Sequence, residues 1–227
     1  MDDNPKEIVR QAYDDLADWY LSWVLTQPSP RETYARKVLS NSLTSLAQND
    51  TPPHHILELG CGPGVPITRL LLDAGAHVTA NDISPRQIQM AKTRCPTATF
   101  HLGDMTALSF PAETFSGATC FYTLFHLPRE EQKVMLVRIR EWLKPGGLFV
   151  FNLAAEIDEE EIYGEMMGHG MFWSSFGVEG SQTMVREAGL EVVDAVVVKA
   201  GEGGGIVEGD PDYGVEFLWV TARKGSG

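Results

Sequence analysis

Basic side chains are scarce in this sequence of 227 residues. Lys and Arg total 18 against 31 Asp and Glu, which gives a formal net charge of −13. A protein that binds nucleic acid neutralises phosphates with clustered Lys and Arg, and this chain has no run of basic residues. Nucleic acid is therefore not expected among its partners.

Cysteines and long apolar runs are also scarce. The three cysteines, Cys61, Cys95 and Cys120, have no C-x-x-C spacing and cannot all pair with one another, so they predict a reducing compartment and no zinc site. No apolar run reaches the length that spans a membrane. The polar, acidic N-terminus lacks the apolar core of a secretion signal. A cytoplasmic protein with no membrane partner is therefore the expectation.

The overall composition is that of an ordinary globular protein, with 43% hydrophobic and 22% charged residues. A chain of this length suits one α/β domain. Apolar residues at helical spacing predict one helix over residues 5–25 and a second from Pro30 to about Leu46, before a Pro-rich break at 49–53.

Strands and helices then alternate along the chain. Because helices separate the strands, they should form a parallel sheet with right-handed crossovers. Residues 155–180 are predicted to be irregular and to precede a short helix at 181–188. Strands 190–199 and 215–222 should pair antiparallel, because the Gly-rich loop 201–209 between them holds no helix. The strands predicted for the parallel part are 55–59, 77–83, 98–102, 116–122 and 148–151.

A glycine-rich segment, E-L-G-C-G-P-G over residues 58–64, follows the first of these strands. Glycines there let the backbone turn sharply and approach a ligand at the carboxyl edge of the sheet. The dinucleotide-binding pattern G-x-G-x-x-G would need glycine at position 65, where the chain has Val65. Glu58 would also repel a pyrophosphate, whereas it suits a ligand with an ammonium and a sulfonium. A tight strand-to-helix turn without a ligand is the alternative.

Acidic residues end the next two strands. Asp82, ~20 residues past the glycines, is placed to accept both hydroxyls of a ribose. The alternative is a turn residue before a helix, although Ser84 already provides the helix cap. After the third strand, Asp104 can accept a hydrogen from an adenine amino group and Met105 can lie against the ring. A plain strand-end turn at Gly103 and these two residues is the alternative.

Together with W-L-K-P-G-G at residues 142–147, these ordered motifs resemble the class I S-adenosylmethionine (SAM)-dependent methyltransferases. The resemblance covers residues 54–154 closely. It implies a single domain, 1–227, with a doubly wound α/β fold: a seven-stranded, mostly parallel sheet, an antiparallel last strand, and an N-terminal helical lid over 1–48. Residues 155–180 would then be an insert that covers the methyl acceptor, and SAM would be the cofactor.

The resemblance also implies which residues contact SAM. The glycines of the loop would line its methionyl part, Asp82 would bind the ribose, and Ile83 and Met105 would sandwich the adenine. Tyr13 and Tyr20 resemble the Y-x-x-x-A-x-x-Y helix that covers SAM in small-molecule members, although an amphipathic helix packed on the core explains them equally. The implied cofactor-binding residues are Tyr13, Tyr20, Glu58, Gly60, Cys61, Gly62, Gly64, Asp82, Ile83, Gly103, Asp104, Met105 and Phe121.

Two absences narrow the choice of methyl acceptor. The motif N/D-P-P-Y/F is missing after the fourth strand, which disfavours amino groups of nucleobases. Between Ser116 and Leu127 there is no Asp or Asn, so the metal site of catechol-type methyltransferases is not expected. Met171, Trp173 and Phe176 supply adaptable and aromatic surface that suits an apolar or aromatic acceptor, although ordinary packing under a loop is as consistent.

His126 lies a few residues past the fourth strand, where ligands of open α/β sheets bind. It is the predicted catalytic residue, taking a proton from the acceptor or orienting it; the alternative is a hydrogen bond to nearby backbone. The predicted function is methyl transfer from SAM to a small, largely apolar or aromatic molecule through O, N or S. A non-methylating rearrangement or cyclisation and a non-catalytic SAM-binding subunit are the alternatives, and the oligomeric state stays open.

Overall fold

The computed structural model describes residues 4–26, 30–44, 54–156, 158–200 and 210–225. The predicted break at 49–53, the predicted helix end near Leu46 and the predicted loop 201–209 lie outside these residues. The strands that it describes are β1 (His55–Leu59), β2 (His77–Asp82), β3 (Thr99–Leu102), β4 (Phe115–Cys120), β5 (Leu143–Ala154), β6 (Ile162–Met166), β7 (His169–Trp173), β8 (Leu190–Lys199) and β9 (Glu216–Lys224). The helices that it describes are α1 (Pro5–Asp15), α2 (Ala17–Thr26), α3 (Arg31–Thr44), α4 (Ile67–Asp73), α5 (Pro85–Arg94), α6 (Arg129–Trp142) and α7 (Gly177–Glu187).

Seven of these strands form one sheet in the order β3-β2-β1-β4-β5-β9-β8. The first five pair in parallel, and β9 is antiparallel to both β5 and β8. The predicted α/β fold, with a mostly parallel sheet of seven strands and an antiparallel last strand, is therefore confirmed.

The central strands are apolar over nearly their whole length because helices cover both faces of the sheet. In β1, every residue from Ile56 to Leu59 is buried, and the pair β5 and β9 buries Phe149, Phe151 and Trp219. The carboxyl ends of β1 to β4 meet at one edge, so the loops that follow these strands lie side by side. The candidate site is built on this edge.

The first predicted helix is in fact two helices. Leu16 ends α1 with φ −86° and ψ 2°, and α2 begins at the next residue. The amide of Tyr20 still donates to the carbonyl oxygen of Leu16, at 2.8 Å. Leu16 is buried on the same apolar stripe as its helical neighbours, so periodicity could not reveal the break.

Residues 155–180 are not irregular throughout, which corrects the sequence prediction. They contain the antiparallel hairpin β6–β7, joined by Met167 and Gly168 with φ values of 53° and 79°. Positive φ at both central residues is the geometry of a tight hairpin turn that usually carries Asn-Gly. Methionine at the first position hid the turn from the sequence.

The strand β5 also begins earlier than predicted, at Leu143. The segment P-G-G at 145–147, which precedes the strand predicted at 148–151, lies inside β5. Gly146 has φ +77° there, and the pairing with β4 shifts register between Phe115 and Gly117. Because Phe115 pairs with Leu143 and Gly117 with Leu148, the residues between Leu143 and Leu148 loop out of the pairing at P-G-G.

Candidate active site

The loop after β1 approaches its neighbours so closely that side chains are excluded. Gly60 and Gly62 have φ values of +70° and +54°. A Cβ atom on Gly60 would lie 2.0 Å from Oγ1 of Thr123, and one on Gly62 would lie 3.2 Å from Cε1 of Tyr20. The two glycines thus expose bare backbone to the space at the edge of the sheet.

Gly64, the third glycine of the motif, has a different place. It has φ +80°, and a Cβ there would lie 3.1 Å from Cα of Ala91 and 3.3 Å from Sγ of Cys95. These atoms belong to α5 and its C-terminal cap. The structure therefore places Gly64 where α5 packs on the loop, away from the cavities described below, in contrast to the predicted cofactor contact.

Asp82 is the last residue of β2, and its carboxylate is hydrogen-bonded to the glycine loop. Its Oδ2 accepts a hydrogen bond from the amide of Gly62 at 2.8 Å, and its Oδ1 accepts one from the amide of Ser84 at 2.9 Å. Burial raises the pKa of Asp82 to about 6, although both backbone amides favour the ionised form. The carboxylate is thus fixed at the border of a cavity.

That cavity, called the first cavity here, has about 620 Å³ of space when the solvent at its mouth is counted. Ten of the predicted site residues line it: Tyr13, Tyr20, Gly60, Gly62, Asp82, Ile83, Gly103, Asp104, Met105 and His126. The sequence did not single out its other lining residues, which are Lys6, Val9, Asn81, Gln87, Tyr122, Thr123 and Leu127.

Gln87 is one of these missed residues, and it carries an unused polar atom. Its side chain is fully buried, and among the described residues its Oε1 has no hydrogen-bond partner. An unpaired buried acceptor beside a cavity costs stability unless a ligand donates to it. Gln87 lies one turn into α5 and belongs to no motif, so the sequence gave no signal for it.

Asp104 faces the first cavity but already has partners. Its Oδ2 lies 2.5 Å from Nζ of Lys6 and accepts from Oγ1 of Thr106 at 2.7 Å. Burial alone would raise the pKa of Asp104, but hydrogen bonds from Lys6 and Thr106 lower it below its usual value. The ion pair ties α1 to the end of β3, and Lys6 could not be identified from its exposed-looking sequence context.

Glu58, Cys61 and Phe121 line a separate side pocket behind the glycine loop. Glu58 is buried, and its Oε2 accepts a hydrogen bond from Oγ1 of Thr68 at 2.7 Å. Burial, chiefly, and the charge of Asp82 raise the pKa of Glu58 to about 8, against the effect of Thr68. The carboxyl group is therefore mostly protonated at neutral pH.

Arg31 also borders the side pocket, although no sequence motif includes it. Its guanidinium lies between two rings, 5.2 Å from the centroid of Trp23 and 4.8 Å from that of Tyr122. Nη1 lies 3.5 Å from the hydroxyl oxygen of Tyr20. A buried cation stacked between aromatic rings is a fixed site for a carboxylate. As the first residue of α3, it looked like an ordinary helix-surface arginine.

His126 makes two hydrogen bonds that define its protonation. Nδ1 lies 2.7 Å from the carbonyl oxygen of Phe172, and Nε2 lies 3.0 Å from the hydroxyl oxygen of Tyr13. A carbonyl can only accept, so Nδ1 carries the hydrogen and the neutral Nε2 accepts from Tyr13. Burial lowers the pKa of His126 to about 4, although the bond to Phe172 opposes this. The ring is thus neutral near physiological pH.

A second cavity, with about 1280 Å³ of space when the solvent at its mouth is counted, adjoins the first. It is lined mainly by aromatic and apolar side chains, including Trp173 and residues of β6. Four residues line both cavities and form what we call the shared wall: Tyr13, Tyr20, Tyr122 and His126.

Two of the three residues predicted to face the acceptor lie elsewhere. Met171 is buried against Val9 and Ala12 of α1, and Phe176 lies beneath the guanidinium of Arg129, 4.6 Å from the ring centroid. The predictions for Met171 and Phe176 therefore do not match their positions. Met171 and Trp173 are two residues apart on β7 and share one face of the strand, but of the two only Trp173 lines the second cavity.

The helix α1 is fastened across this edge of the sheet at several points. Besides Lys6 and Tyr13, Asp14 accepts hydrogen bonds from Oγ of Ser84 and from the amide of Arg86. These bonds hold α1 over the carboxyl ends of β2 and β3. Within the described residues, no group of three or more His, Cys, Asp or Glu side chains is arranged to hold a metal ion. No helix among them has the length and apolarity to cross a membrane.

Comparison with known proteins agrees with this arrangement. Residues 56–147 match a family described as a methyltransferase domain. The chain is 25% identical over 212 residues to the O-methyltransferase cnsE of Penicillium expansum, and the match covers 85% of this chain and 74% of that protein. The chain spans less than half the length of several other methyltransferases that it matches.

Solved structures share the fold. One is the Burkholderia thailandensis 1,6-didemethyltoxoflavin-N1-methyltransferase with bound 1,6-didemethyltoxoflavin and S-adenosylhomocysteine, with a TM-score of 0.67, 21% identity, and coverage of 98% of this chain and 91% of that chain. Another is the [4+2]-cyclase SpnF, with a TM-score of 0.65, 20% identity and 96% coverage of each chain.

The fold is the one that solved class I methyltransferases share. The matched domain makes the assignment more particular, because the chain carries a methyltransferase domain at residues 56–147. The matched domain agrees with the prediction of a methyltransferase.

Proposed function

We propose that this chain transfers the methyl group of SAM to a small, largely apolar or aromatic molecule, with SAM in the first cavity and the acceptor in the second. The observation that carries this proposal is the shared wall. Because Tyr13, Tyr20, Tyr122 and His126 line both cavities, two ligands bound there would meet beside these side chains.

The side chains around the first cavity match the parts of SAM. Ile83 and Met105 offer apolar surface to the adenine, and Asp82 and the unused Oε1 of Gln87 offer acceptors to ribose hydroxyls. In the adjoining side pocket, Arg31 suits the α-carboxylate, and Glu58 suits the ammonium group. Gly60 and Gly62, which carry no side chain, leave room between the adenosine part and the amino-acid part of SAM. The residues of this chain therefore fit the cofactor.

When bound, SAM supplies a methyl group on a positively charged sulfur. The leaving group is the neutral thioether S-adenosylhomocysteine, so no acid is needed. The work left to the protein is to align the acceptor with that methyl group and to exclude water. The tethers from α1, through Lys6, Tyr13 and Asp14, would keep the lid helix closed over the site. We assign the alignment to the shared wall, with His126 as its hydrogen-bonding member.

The test is turnover in the presence of a panel of hydroxylated, aminated and thiol-bearing aromatic molecules. A supporting result is formation of S-adenosylhomocysteine in a fixed ratio to a product heavier by one methylene group. Binding of SAM without methylation of any molecule in the panel would count against the proposal. EDTA should leave turnover unchanged. A cytoplasmic location, independence of metal ions and the absence of nucleic-acid partners stay predictions from the sequence.

A non-methylating reaction on the same scaffold is a second candidate. The similarity in fold to a [4+2]-cyclase supports it, as does the mostly apolar lining of the second cavity. The two candidates separate in one measurement. Methyl transfer consumes SAM and releases S-adenosylhomocysteine, whereas a cyclisation or rearrangement changes the substrate and leaves bound SAM intact.

A further inference from the structure

An acidic residue of the second cavity has no part in the mechanism described above. Asp212 lies in the turn that precedes β9 and lines this cavity. The turn is held in place by Asp210, whose Oδ2 accepts from Nε1 of Trp23 at 2.7 Å and whose Oδ1 accepts from the amide of Asp212 at 3.0 Å. The backbone of Asp212 is thus tied through Asp210 to Trp23 of α2.

The surroundings of this carboxylate are poor in partners. Within the described part of the chain, the side chain of Asp212 receives no hydrogen bond and forms no ion pair, and the charge of Arg31 lowers its pKa. Burial, chiefly, and the neighbouring charge of Asp210 raise the pKa of Asp212 to about 7. A carboxylate in a mostly apolar cavity costs free energy unless a donor meets it there.

Asp212 lies near the shared wall. Burial is the main cause of the raised pKa values of Tyr13 and Tyr20, and the charge of Asp212 adds to the rise at both hydroxyls. The carboxylate is therefore within electrostatic reach of the place where the two cavities meet. Glu165, another acid of the second cavity, is exposed on β6 and has water to solvate it.

We propose that Asp212 binds the methyl acceptor by accepting a hydrogen bond from a hydroxyl group carried on an otherwise apolar ring. This inference rests on the proposed function, because it needs the acceptor in the second cavity. It narrows the acceptor from apolar or aromatic molecules in general to hydroxylated ones, and it makes Asp212 a residue that determines specificity.

The test uses two probes of nearly equal shape, 2-naphthol and 2-methylnaphthalene, in equilibrium dialysis against the protein saturated with S-adenosylhomocysteine. The wild type should bind 2-naphthol about tenfold more tightly or better, as expected for a hydrogen bond to a charged group. Asp212→Ala should bind the two probes alike. Asp212→Asn, which keeps an acceptor oxygen and the shape of the side chain, should fall between them.

Glu165→Ala is the matched control and should keep the wild-type preference. Affinity for S-adenosylhomocysteine, measured on each variant, reports that the fold and the first cavity are intact. A preference that survives in Asp212→Ala would overturn the inference, as would equal binding of the probes, or no binding of either, to the wild type. Failure of the wild type to bind S-adenosylhomocysteine would instead contradict the proposed function.

Discussion

The hydroxyl oxygen of Tyr13 lies 3.0 Å from Nε2 of His126. This contact joins α1 to the loop after β4. The other ring nitrogen of His126, Nδ1, donates a hydrogen bond to the carbonyl oxygen of Phe172 on β7. Three separate segments thus meet at one imidazole between the two cavities. Burial favours the neutral ring, in which Nε2 accepts from the hydroxyl of Tyr13, so the shared wall places no positive charge beside the sulfonium of SAM.

The first prediction concerns the role of His126 in turnover. His126→Ala should lower kcat by ~10²-fold or more and leave SAM affinity within a factor of a few. Tyr13→Phe, which removes only the hydroxyl, should have a smaller effect of the same kind. A His126→Ala protein with near-normal kcat and a lower melting temperature would show that the ring serves the structure and that the acceptor needs no such group.

The second prediction concerns stability at mildly acidic pH. Burial lowers the pKa of His126 to about 4 in the folded chain, whereas an unfolded histidine titrates near its ordinary value of about 6.5. Between these values the unfolded state binds the extra proton, so the free energy of unfolding falls as the pH falls, by up to about 3 kcal/mol from this residue. Urea unfolding at several pH values should show a shallower fall in His126→Gln. Parallel curves would contradict the buried neutral ring.

The third prediction separates the two ends of the cofactor. Arg31→Gln should weaken binding of S-adenosylhomocysteine by about tenfold or more, because a charged hydrogen bond to the carboxylate is lost. Binding of 5′-methylthioadenosine, which lacks the amino-acid part, should be unchanged. Arg36→Gln alters an exposed arginine of the same helix and serves as the control. Equal weakening of both ligands by Arg31→Gln would rule out the carboxylate contact.

The fourth prediction is proton release on binding. Burial raises the pKa of Glu58 to about 8, so its carboxyl group is mostly protonated at about pH 7, whereas Asp82, with a pKa of about 6, is mostly ionised. An ammonium group beside Glu58 favours its carboxylate, so binding of S-adenosylhomocysteine should release protons at about pH 7 and few at about pH 9. Calorimetry in buffers of different ionisation enthalpy measures this. Glu58→Gln should abolish the release, and an unchanged release would place the ammonium elsewhere.

Much of the site was predictable because it is encoded locally. The glycine loop, Asp82 and Met105 each follow a strand directly, and parallel strands bring their carboxyl ends to one edge whatever the remaining contacts are. Their positions around the first cavity agree with that expectation.

The unpredicted part comes from residues that reach the site through tertiary packing. Arg31 and Gln87 lie on helix faces and Asp212 in a turn, and none belongs to a motif. The hairpin at 162–173 was hidden by an unusual turn residue, so the residues of β6 and β7 that line the second cavity could not be identified from the sequence.

The central claim, that the first cavity holds SAM, is tested most directly by calorimetric titration of the wild type and Asp82→Ala with S-adenosylhomocysteine and with NAD. The account predicts that the wild type binds one S-adenosylhomocysteine per chain and does not bind NAD. It also predicts that Asp82→Ala loses ~1.5–3 kcal/mol of binding free energy with its charge-assisted hydrogen bonds. Binding of NAD without binding of S-adenosylhomocysteine, or equal affinity of the two proteins for S-adenosylhomocysteine, would contradict it.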